Sequence, residues 1–215
     1  MPPAPGGLLT DIDAMVALTK PEYSGPGSWA DGDMLQVCNY GKGGTNAGGR
    51  DDGGMTLAEY QASYSIWAVL ASPIIISADL RTLATEHPDC LAMLKNKELL
   101  AISQDKLGVA GRLVRQLTNA TDPSPDAVRS TNIIEQVFSR PLDGKAVAAV
   151  LFNRAEATRT IMITWVELGL PAGEYAVRDI WASSSSGKEV GSSASGYSAS
   201  VPAHSAMMIK ITPHA

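Results

Sequence analysis

The pattern of hydrophobic residues changes near residue 115, and this change limits the possible folds more than any other feature of the sequence. Before it, a helical pattern alternates with short apolar runs that are typical of strands. After it, short segments of alternating apolar and polar residues are separated by turn residues. Alternating strands and helices are typical of parallel βα units, whereas evenly spaced short strands are typical of an antiparallel sandwich. The sequence therefore predicts two units of different architecture.

The first unit contains a helix whose beginning and end are both marked in the sequence. Thr56 and Glu59 have the spacing of a capping box, an apolar stripe with helical spacing follows, and Pro73 ends the pattern. The run IIIS at residues 74–77 is apolar and β-branched, which predicts a strand buried on both faces. A second helix is predicted over roughly residues 88–97.

The second unit contains six segments with the alternation of strands. They are residues 133–141, 145–154, 158–168, 173–182, 197–205 and 206–213. Residues 119–131 have the composition of a solvated linker, and the Ser/Gly-rich residues 183–196 predict a loose hairpin. The spacing of the turn signals favours a small antiparallel sandwich.

Composition excludes several classes of protein. A net charge of −5 and a pI of about 5.2 lack the basic footprint of a nucleic-acid-binding protein. No apolar run reaches the roughly 18 residues of a membrane span. Cys38 and Cys90 match no metal-ligand spacing, and we expect free thiols rather than a disulfide. The first 15 residues lack the basic and apolar regions of a signal peptide, which read literally would leave the chain in the cytosol.

The most distinctive polar segment is GPGSWADGDML at residues 25–35. Asp31 and Asp33 lie two residues apart in this Gly-rich loop, between Trp29 and Met34. Paired carboxylates occur in glycosidases, proteases and metal sites, and the loop alone does not choose among these. A simpler interpretation is a turn in which the Asp side chains cap their own backbone.

Several segments, in the same order along the chain, resemble glycoside hydrolase family 27, the α-galactosidases and α-N-acetylgalactosaminidases. GPGSWADGDML is similar to the family signature PGxWNDPDML. The similarity continues through GGMTLAEYQASYSIWAVLASPIIISADLR and LKNKELLAISQDKLGVAGR. It extends into the second unit through QVFSRPLDGKAVAAVLFNR, ITWVELGLPAGEYAVRDIWA and VPAHSAMMIKITP.

The resemblance implies an α/β plus all-β fold. Residues 1–117 would form the last part of a (β/α)8 TIM barrel, and residues 118–215 a C-terminal antiparallel β-sandwich. Residues 25–35 would then lie at the C-terminal end of the seventh strand, the end at which such barrels carry their sites, and residues 73–77 would form the eighth strand. Only about two of the eight barrel units are recognisable, since a complete barrel needs about 250 residues.

The resemblance also implies a galactose pocket, with one wall formed by the loop. Asp33 would accept hydrogen bonds from a sugar hydroxyl or hold a neighbouring Arg, and Met34 would pack against the sugar ring. Asp31 would support the loop, and Trp29 would be either pocket wall or barrel core. A retaining glycosidase needs two carboxyl groups on opposite sides of the anomeric carbon. The family carries them on the fourth and sixth strands, which are expected upstream, so no catalytic residue is assigned, no cofactor or metal is implied, and the chain alone is expected to be inactive.

Asp11 and Asp13 superficially resemble the acid/base segment of the family, which often contains Asp-Ile. However, Asp11 lies only 14 residues before Gly25, a distance that barely holds a helix and its two loops. The apolar spacing of residues 8–18 is itself helical. We therefore expect both aspartates to face solvent on a helix.

The chain departs from the family at two loop positions and at one insert. Ala30 and Gly32 replace the Asn and Pro of the signature, and residues 42–54 are longer than the corresponding link. We expect an idle solvated loop there rather than a flap over the site.

The sequon at Asn119 and the resemblance lead to expectations about modification, compartment, substrate and partners. Asn119, in the sequon Asn-Ala-Thr, would be glycosylated, and the full-length protein would be extracellular, lysosomal or vacuolar. The substrate would be an α-galactoside, with galactose and N-acetylgalactosamine not distinguished. Possible partners are the missing barrel portion or a second copy, and the alternative function is that of a non-catalytic sandwich that binds carbohydrate or a partner.

Overall fold

The computed structural model describes residues 7–18, 20, 23–40, 54–119, 132–182 and 187–214. Within these residues the helices are α1 Leu8–Leu18, α2 Leu57–Leu70, α3 Leu83–Glu86, α4 Pro88–Leu94 and α5 Lys97–Ser103. The strands are β1 Arg112–Thr118, β2 Ile133–Pro141, β3 Val147–Asn153, β4 Arg159–Thr164, β5 Tyr175–Asp179, β6 Lys188–Ser193, β7 Gly196–Val201 and β8 Ala206–Pro213. The helices thus precede the strands, and the change from helices to strands lies close to its predicted position near residue 115.

Helix α2 confirms the capping-box prediction. The Thr56 hydroxyl accepts a hydrogen bond from the Glu59 N–H at 3.3 Å, and the Glu59 carboxylate accepts one from the Thr56 N–H at 2.7 Å. The helix ends at Ala71, which adopts a left-handed conformation with φ 58°. Its buried face places Trp67 in the core, as the apolar stripe predicted.

The single helix expected over residues 88–97 is instead two short helices, α4 and α5. Asn96 separates the two helices. Its side-chain oxygen accepts hydrogen bonds from the Glu98 and Leu99 N–H groups, each at 3.1 Å, and so caps the N-terminal end of α5. The Asn96 amide also donates to the Ile180 carbonyl at 3.0 Å. The residue that breaks the helix therefore also joins it to the strands.

The prediction of a strand buried on both faces at residues 74–77 is wrong. This segment forms one parallel bridge, between Ile76 and Leu35, and Ile75 is 53% exposed. The Leu35 N–H donates to the Ile75 carbonyl at 2.8 Å, so the direction of the pairing is that of adjacent barrel strands. Burial on both faces requires a second neighbouring strand and a covering layer, and the described residues provide neither at this edge.

The second unit is an antiparallel sandwich, as expected. One sheet has the strand order β1-β2-β3-β8-β5-β6, and a second sheet consists of β4 and β7. All six expected strands are present. Two more strands are present. β1 was not predicted, whereas β6 lies in the Ser/Gly-rich stretch where a loose hairpin was expected, and it pairs with β5. Residues 120–131 of the expected linker lie outside the described part of the chain, as do residues 42–53 of the insert.

The six-stranded sheet is covered on both faces and separates two hydrophobic cores, one shared with the helices and one inside the sandwich. Every residue of β3 is buried. Val147, Ala149 and Leu151 pack toward β4 and β7, whereas Val150 and Phe152 pack toward the helices. Helix α2 therefore lies against the outer face of a sheet whose inner face forms the sandwich core.

Arg140 and Gly111 lie at the junction between the two units. Arg140 is 1% exposed, and its guanidinium donates to the carbonyls of Ala68, Ser103 and Val109 at 2.8 to 3.0 Å. A Cβ at Gly111 would lie 2.2 Å from the Val69 carbonyl oxygen, so only glycine fits there. Strand β1 follows directly, and we propose that the sandwich begins at residue 112 rather than 118.

The expectation of free thiols is wrong. Cys38 and Cys90 form a disulfide with a Cα–Cα distance of 5.9 Å, and both residues are buried. It links the end of the Gly-rich loop to helix α4. The two residues are 52 positions apart, and only the fold brings them together.

Among the described residues, no helix is both long and apolar enough to cross a membrane.

Candidate functional site

The loop at residues 25–35 has a defined shape that its own side chains help to build. The Gly25 and Ser28 backbones bond to each other in both directions, at 2.7 and 2.9 Å. The Asp31 carboxylate accepts the Asp33 N–H at 2.9 Å, and the Asp33 carboxylate accepts the Met34 N–H at 2.6 Å. Both Asp side chains therefore bond to their own backbone, as the simpler interpretation of a turn describes.

Two residues at the C-terminal end of α2 hold this loop from behind. The Trp67 indole N–H donates to the Asp33 carbonyl at 3.2 Å, and the Ser72 hydroxyl accepts the Gly32 N–H at 2.9 Å. A Cβ at Gly32 would lie 2.8 Å from the Trp67 ring, so the loop is pressed against the indole. Neither Trp67 nor Ser72 belongs to the GPGSWADGDML motif. The apolar stripe of α2 indicated that Trp67 is buried, whereas no signal in the sequence pointed to Ser72.

Asp33 is held in an unusual backbone conformation. Its φ is 70°, a left-handed value that non-glycine residues adopt at a cost of about 1 kcal/mol. The carboxylates of Asp31 and Asp33 and the side chain of Met34 are all exposed, and Met34 is 52% exposed. The loop therefore presents two carboxylates and one thioether side by side on a fixed backbone.

Trp29 lies apart from this exposed group. It is partly buried and lines a cavity of about 590 Å³ together with Tyr64, Ser72, Ile76 and Arg140. Asp31, Asp33 and Met34 do not line that cavity. The structure thus exposes three of the four expected site residues on the loop and places the fourth in the wall of a cavity that the other three do not line.

Asp11 and Asp13 do lie on a helix, α1, as expected, but the expectation that both face solvent is wrong. Asp13 forms a buried ion pair with Arg154 of the sandwich, and its side chain is 8% exposed. Asp11 is partly buried, and its pKa is raised above the ordinary value, first by burial and second by the negative charge of Asp33. Asp11 is therefore close enough to the acidic loop to sense its charge.

Aromatic residues secure the end of the loop. The Tyr60 hydroxyl accepts the Tyr40 N–H at 2.7 Å and donates to the Asn39 side chain at 2.9 Å. The Tyr40 ring stacks on His87 with the ring centroids 3.8 Å apart. Together with the disulfide, these contacts fix the segment that follows the exposed carboxylates.

In the part of the chain that the structure describes, no group of three or more His, Cys, Asp or Glu residues is placed to hold a metal ion.

The acidic loop ends at Leu35, which pairs in parallel with Ile76, and the adjoining helices pack against an antiparallel sandwich; this is the arrangement of a barrel end followed by a sandwich. Residues 12–105 match the family model described as alpha galactosidase A, and residues 135–211 match the alpha galactosidase C-terminal beta sandwich domain. The chain is 35% identical over 193 residues to alpha-galactosidase 3 of Arabidopsis thaliana, covering 89% of this chain and 37% of that protein. It is 34% identical over 193 residues to an alpha-galactosidase of Cyamopsis tetragonoloba, covering 89% and 38%.

Solved structures show the same fold. The chain superposes on alpha-galactosidase I of Mortierella vinacea with a TM-score of 0.71 at 24% identity, covering 97% of this chain and 45% of that one. It superposes on the Saccharomyces cerevisiae alpha-galactosidase with a TM-score of 0.77 at 19% identity, covering 97% and 52%. The chain belongs to the α-galactosidase family, glycoside hydrolase family 27. It spans about two fifths of the length of these two curated relatives.

Proposed function

We propose that the loop at residues 25–35 is one wall of a galactose-binding site, and that Asp33 and Met34 contact the sugar. The observation that carries this proposal is their exposure side by side on a backbone that Trp67 and Ser72 hold in place. An exposed carboxylate can accept hydrogen bonds from two sugar hydroxyls, and a thioether packs well against a sugar ring. Asp31 supports the turn through its bond to the Asp33 N–H. Trp29 forms the wall of the adjoining cavity.

The whole protein is proposed to hydrolyse terminal α-galactosides with retention of configuration. The family membership supports this reaction, and relatives at 34–36% identity carry the name alpha-galactosidase. Retention needs a nucleophile and an acid/base whose carboxyl groups lie about 5–5.5 Å apart on opposite sides of the anomeric carbon. Each carboxylate of the loop accepts a hydrogen bond from the loop's own backbone, which argues against either of them as the nucleophile or the acid/base.

Residues 1–215 alone are proposed to bind galactose without hydrolysing galactosides. The 4-nitrophenyl α-galactoside assay tests this directly, with protein concentration varied so that a trace contaminant is recognised. Turnover that rises in proportion to the purified chain and is lost on substitution of Asp11 would contradict the proposal, because it would locate a working acid within this chain.

Galactose titration followed by amide shifts tests the binding wall. We expect the Asp33 and Met34 signals to move with a single dissociation constant, and Asp33→Asn to weaken binding at least tenfold, since a charge-assisted hydrogen bond contributes about 1.5–3 kcal/mol. Glu174→Gln, which changes an exposed carboxylate of the sandwich that accepts a hydrogen bond from Ser192, is the control and should bind as wild type does. Shifts confined to the strands would contradict the proposed site. Competition between galactose and N-acetylgalactosamine in the same titration decides the preferred sugar.

The edge at residues 74–77 is proposed to pair with further polypeptide, either the remaining barrel portion or a second copy. Ile75 and Ile76 are 53% and 37% exposed, and Leu80 is 59% exposed beside them. Apolar side chains on an open parallel edge are costly in water, and the relatives are more than twice as long as this chain. Native mass spectrometry of the protein from its source gives the partner's mass; a monomer of this chain alone would contradict the proposal.

An oxidising compartment, extracellular, lysosomal or vacuolar, is proposed for the full-length protein. The Cys38–Cys90 disulfide supports this, because buried disulfides persist mainly outside the cytosol. Asn119 is exposed at the end of β1, as an N-glycosylated residue must be, and it remains the proposed glycosylation site. A mass shift on glycosidase treatment of the secreted protein tests it; its loss in Asn119→Gln would assign the residue.

A further inference from the structure

The cavity of about 590 Å³ lies where helices α2 and α5 end, and it is separate from the exposed carboxylates of the loop. Asp31, Asp33 and Met34 do not line it. Its volume falls within the roughly 300–1,000 Å³ of small-molecule sites. Its apolar lining is formed by Trp29, Pro73, Ile74, Ile76, Leu94 and Leu100.

Arg140 brings a buried positive charge to this cavity, since it belongs to the lining and is only 1% exposed. Its Nε donates to the Val109 carbonyl at 2.8 Å, and its Nη1 donates to the carbonyls of Ala68 and Ser103 at 2.8 and 3.0 Å. Nη2 makes no hydrogen bond to any residue that the structure describes. Nη2 is therefore the part of the guanidinium that is left to bind a ligand in the cavity.

The charge of Arg140 is not neutralised by a carboxylate in contact with it, among the described residues. Asp105 also lines the cavity, but its carboxylate accepts the backbone N–H groups of Leu107 and Asp143 at 3.0 and 2.9 Å. Burial lowers the pKa of Arg140, and the negative charge of Asp105 opposes this only in part. A buried cation without a contacting anion is costly, so an anion that entered the cavity would reduce this cost.

Two hydroxyl groups in the lining add further donors. The Ser72 oxygen accepts the Gly32 N–H at 2.9 Å, while its hydrogen has no acceptor in the described part of the chain. The Tyr64 hydroxyl makes only a long bond, of 3.4 Å, to the Leu94 carbonyl. Carboxylates are preferred partners of a guanidinium, and the Trp29 ring beside them favours an apolar group on the same ligand.

We propose that this cavity binds a carboxylate that carries an apolar group, and that Nη2 of Arg140 and the Ser72 hydroxyl donate to it. The carboxylate can come from two sources, a free small molecule or an acidic side chain of further polypeptide. The second source follows from Ile76, which belongs both to the open edge and to the lining of the cavity. That source rests on the pairing proposed above for the edge, whereas the carboxylate chemistry does not.

Titration of the 215-residue chain with 4-phenylbutyrate, followed through the NMR signals of the tryptophan indoles, tests the proposal. We expect the Trp29 signal to move and the signal of Trp165, in the sandwich core, to stay. The uncharged 4-phenylbutanamide should bind at least tenfold more weakly, because it cannot neutralise Arg140. Acetate should also bind at least tenfold more weakly, because it lacks the apolar group. Equal affinity for 4-phenylbutyrate and its amide, or an unchanged Trp29 signal, would overturn the proposal.

Two variants of neighbouring residues locate the binding in the cavity. Ile76→Trp should abolish 4-phenylbutyrate binding, because the larger side chain fills the entrance that Ile76 lines. Ile75→Trp is the matched control and should bind as wild type does, since Ile75 is 53% exposed and does not line the cavity. Equal binding by both variants would overturn the proposal. Arg140→Met should also lose binding; if it does not fold, the tryptophan variants and the amide still decide.

The same titration of the protein purified from its source separates the two sources of the carboxylate. Binding both there and by the chain alone identifies a free ligand. Binding by the chain alone indicates that an acidic side chain of the partner polypeptide already occupies the cavity. Binding by neither contradicts the proposal and leaves the sugar site untouched, because galactose binding is measured at Asp33 and Met34.

Discussion

At the scale of single residues, the loop has a strained backbone at Asp33 that neighbouring side chains hold in place. Asp33 adopts a left-handed backbone, and Gly32 replaces the proline that the family signature has at this position. A proline has no N–H, so the hydrogen bond from the Gly32 N–H to the Ser72 hydroxyl could not form with the proline of the signature. This bond and the Trp67 indole restrain a loop that glycine would otherwise loosen.

Asp11→Asn is expected to raise the free energy of unfolding at pH 7. Burial and the charge of Asp33 raise the pKa of Asp11 in the folded protein above its ordinary value of 3.8. Between these two pKa values the folded protein binds more protons than the unfolded chain, so the free energy of unfolding of the wild type falls as the pH rises through this range. Asparagine does not ionise and avoids this loss. Urea unfolding from pH 3 to pH 7 should show the difference growing with pH; a constant difference would contradict the assignment.

Removing the disulfide is expected to cost about 4 kcal/mol, the chain-entropy value for a closed loop of 52 residues. Cys38→Ala/Cys90→Ala should unfold at a lower urea concentration than the wild type. A reducing agent should lower the midpoint of the wild type to that of the variant and leave the variant unaffected. If the reducing agent also lowered the urea midpoint of the double variant, the loss of stability would have a cause other than the disulfide.

At the scale of elements, α2 connects the site to the rest of the molecule. Its first turn is held by the capping box, its last turn supports the loop through Trp67 and Ser72, and its length lies against the sheet. Tyr64, near its centre, is buried enough that the pKa of its hydroxyl is raised to about 12. A change at one end of this helix should therefore be measurable at the other end.

Thr56→Ala is expected to destabilise the protein by about 1 kcal/mol, since it removes the N-terminal cap of α2. Thr56→Ser keeps the hydroxyl and should cost much less. Thermal unfolding of both variants measures the difference. Equal losses in the two variants would mean that the methyl group, and not the capping bond, matters at this position.

At the scale of the whole molecule, the sandwich depends on the helices. The strands at the centre of the large sheet are buried on both faces, and the face toward α2 carries Phe138, Val150, Phe152 and Met208, each with no exposed surface. Arg140 adds a buried charge whose carbonyl partners include two in the helical part. From these features we expect that the sandwich does not fold as an independent binding module.

Residues 112–214 alone are expected to aggregate or to lack a cooperative unfolding transition. Exposing four large apolar side chains on one sheet face costs several kcal/mol at roughly 25 cal/mol per Å², and Arg140 would lose its helical partners. Size-exclusion chromatography and urea unfolding of the isolated segment, beside the full chain, measure this. A monodisperse, cooperatively unfolding segment would contradict the expectation and restore the alternative of a carbohydrate- or partner-binding sandwich.

The sequence by itself determined what local chemistry controls. The capping box and apolar stripe defined α2, the alternation of side chains defined six strands, and the turn chemistry of Asp31 and Asp33 was readable from their spacing. The collinear motifs also determined the family. Each of these depends on residues close together in the chain, or on a pattern preserved within one segment.

Only the tertiary structure decided which distant residues meet. The Cys38–Cys90 disulfide, the Asp13–Arg154 ion pair and the contact of Trp67 with Asp33 join residues 34 to 141 positions apart. The exposure of Ile75 likewise depends on which neighbours an edge has, and not on its β-branched composition. The physical reason is the same in each case, because burial and pairing depend on the neighbours that the fold brings to a residue. An aspartate on a helix has the same sequence pattern whether its side chain faces water or an arginine of the sandwich.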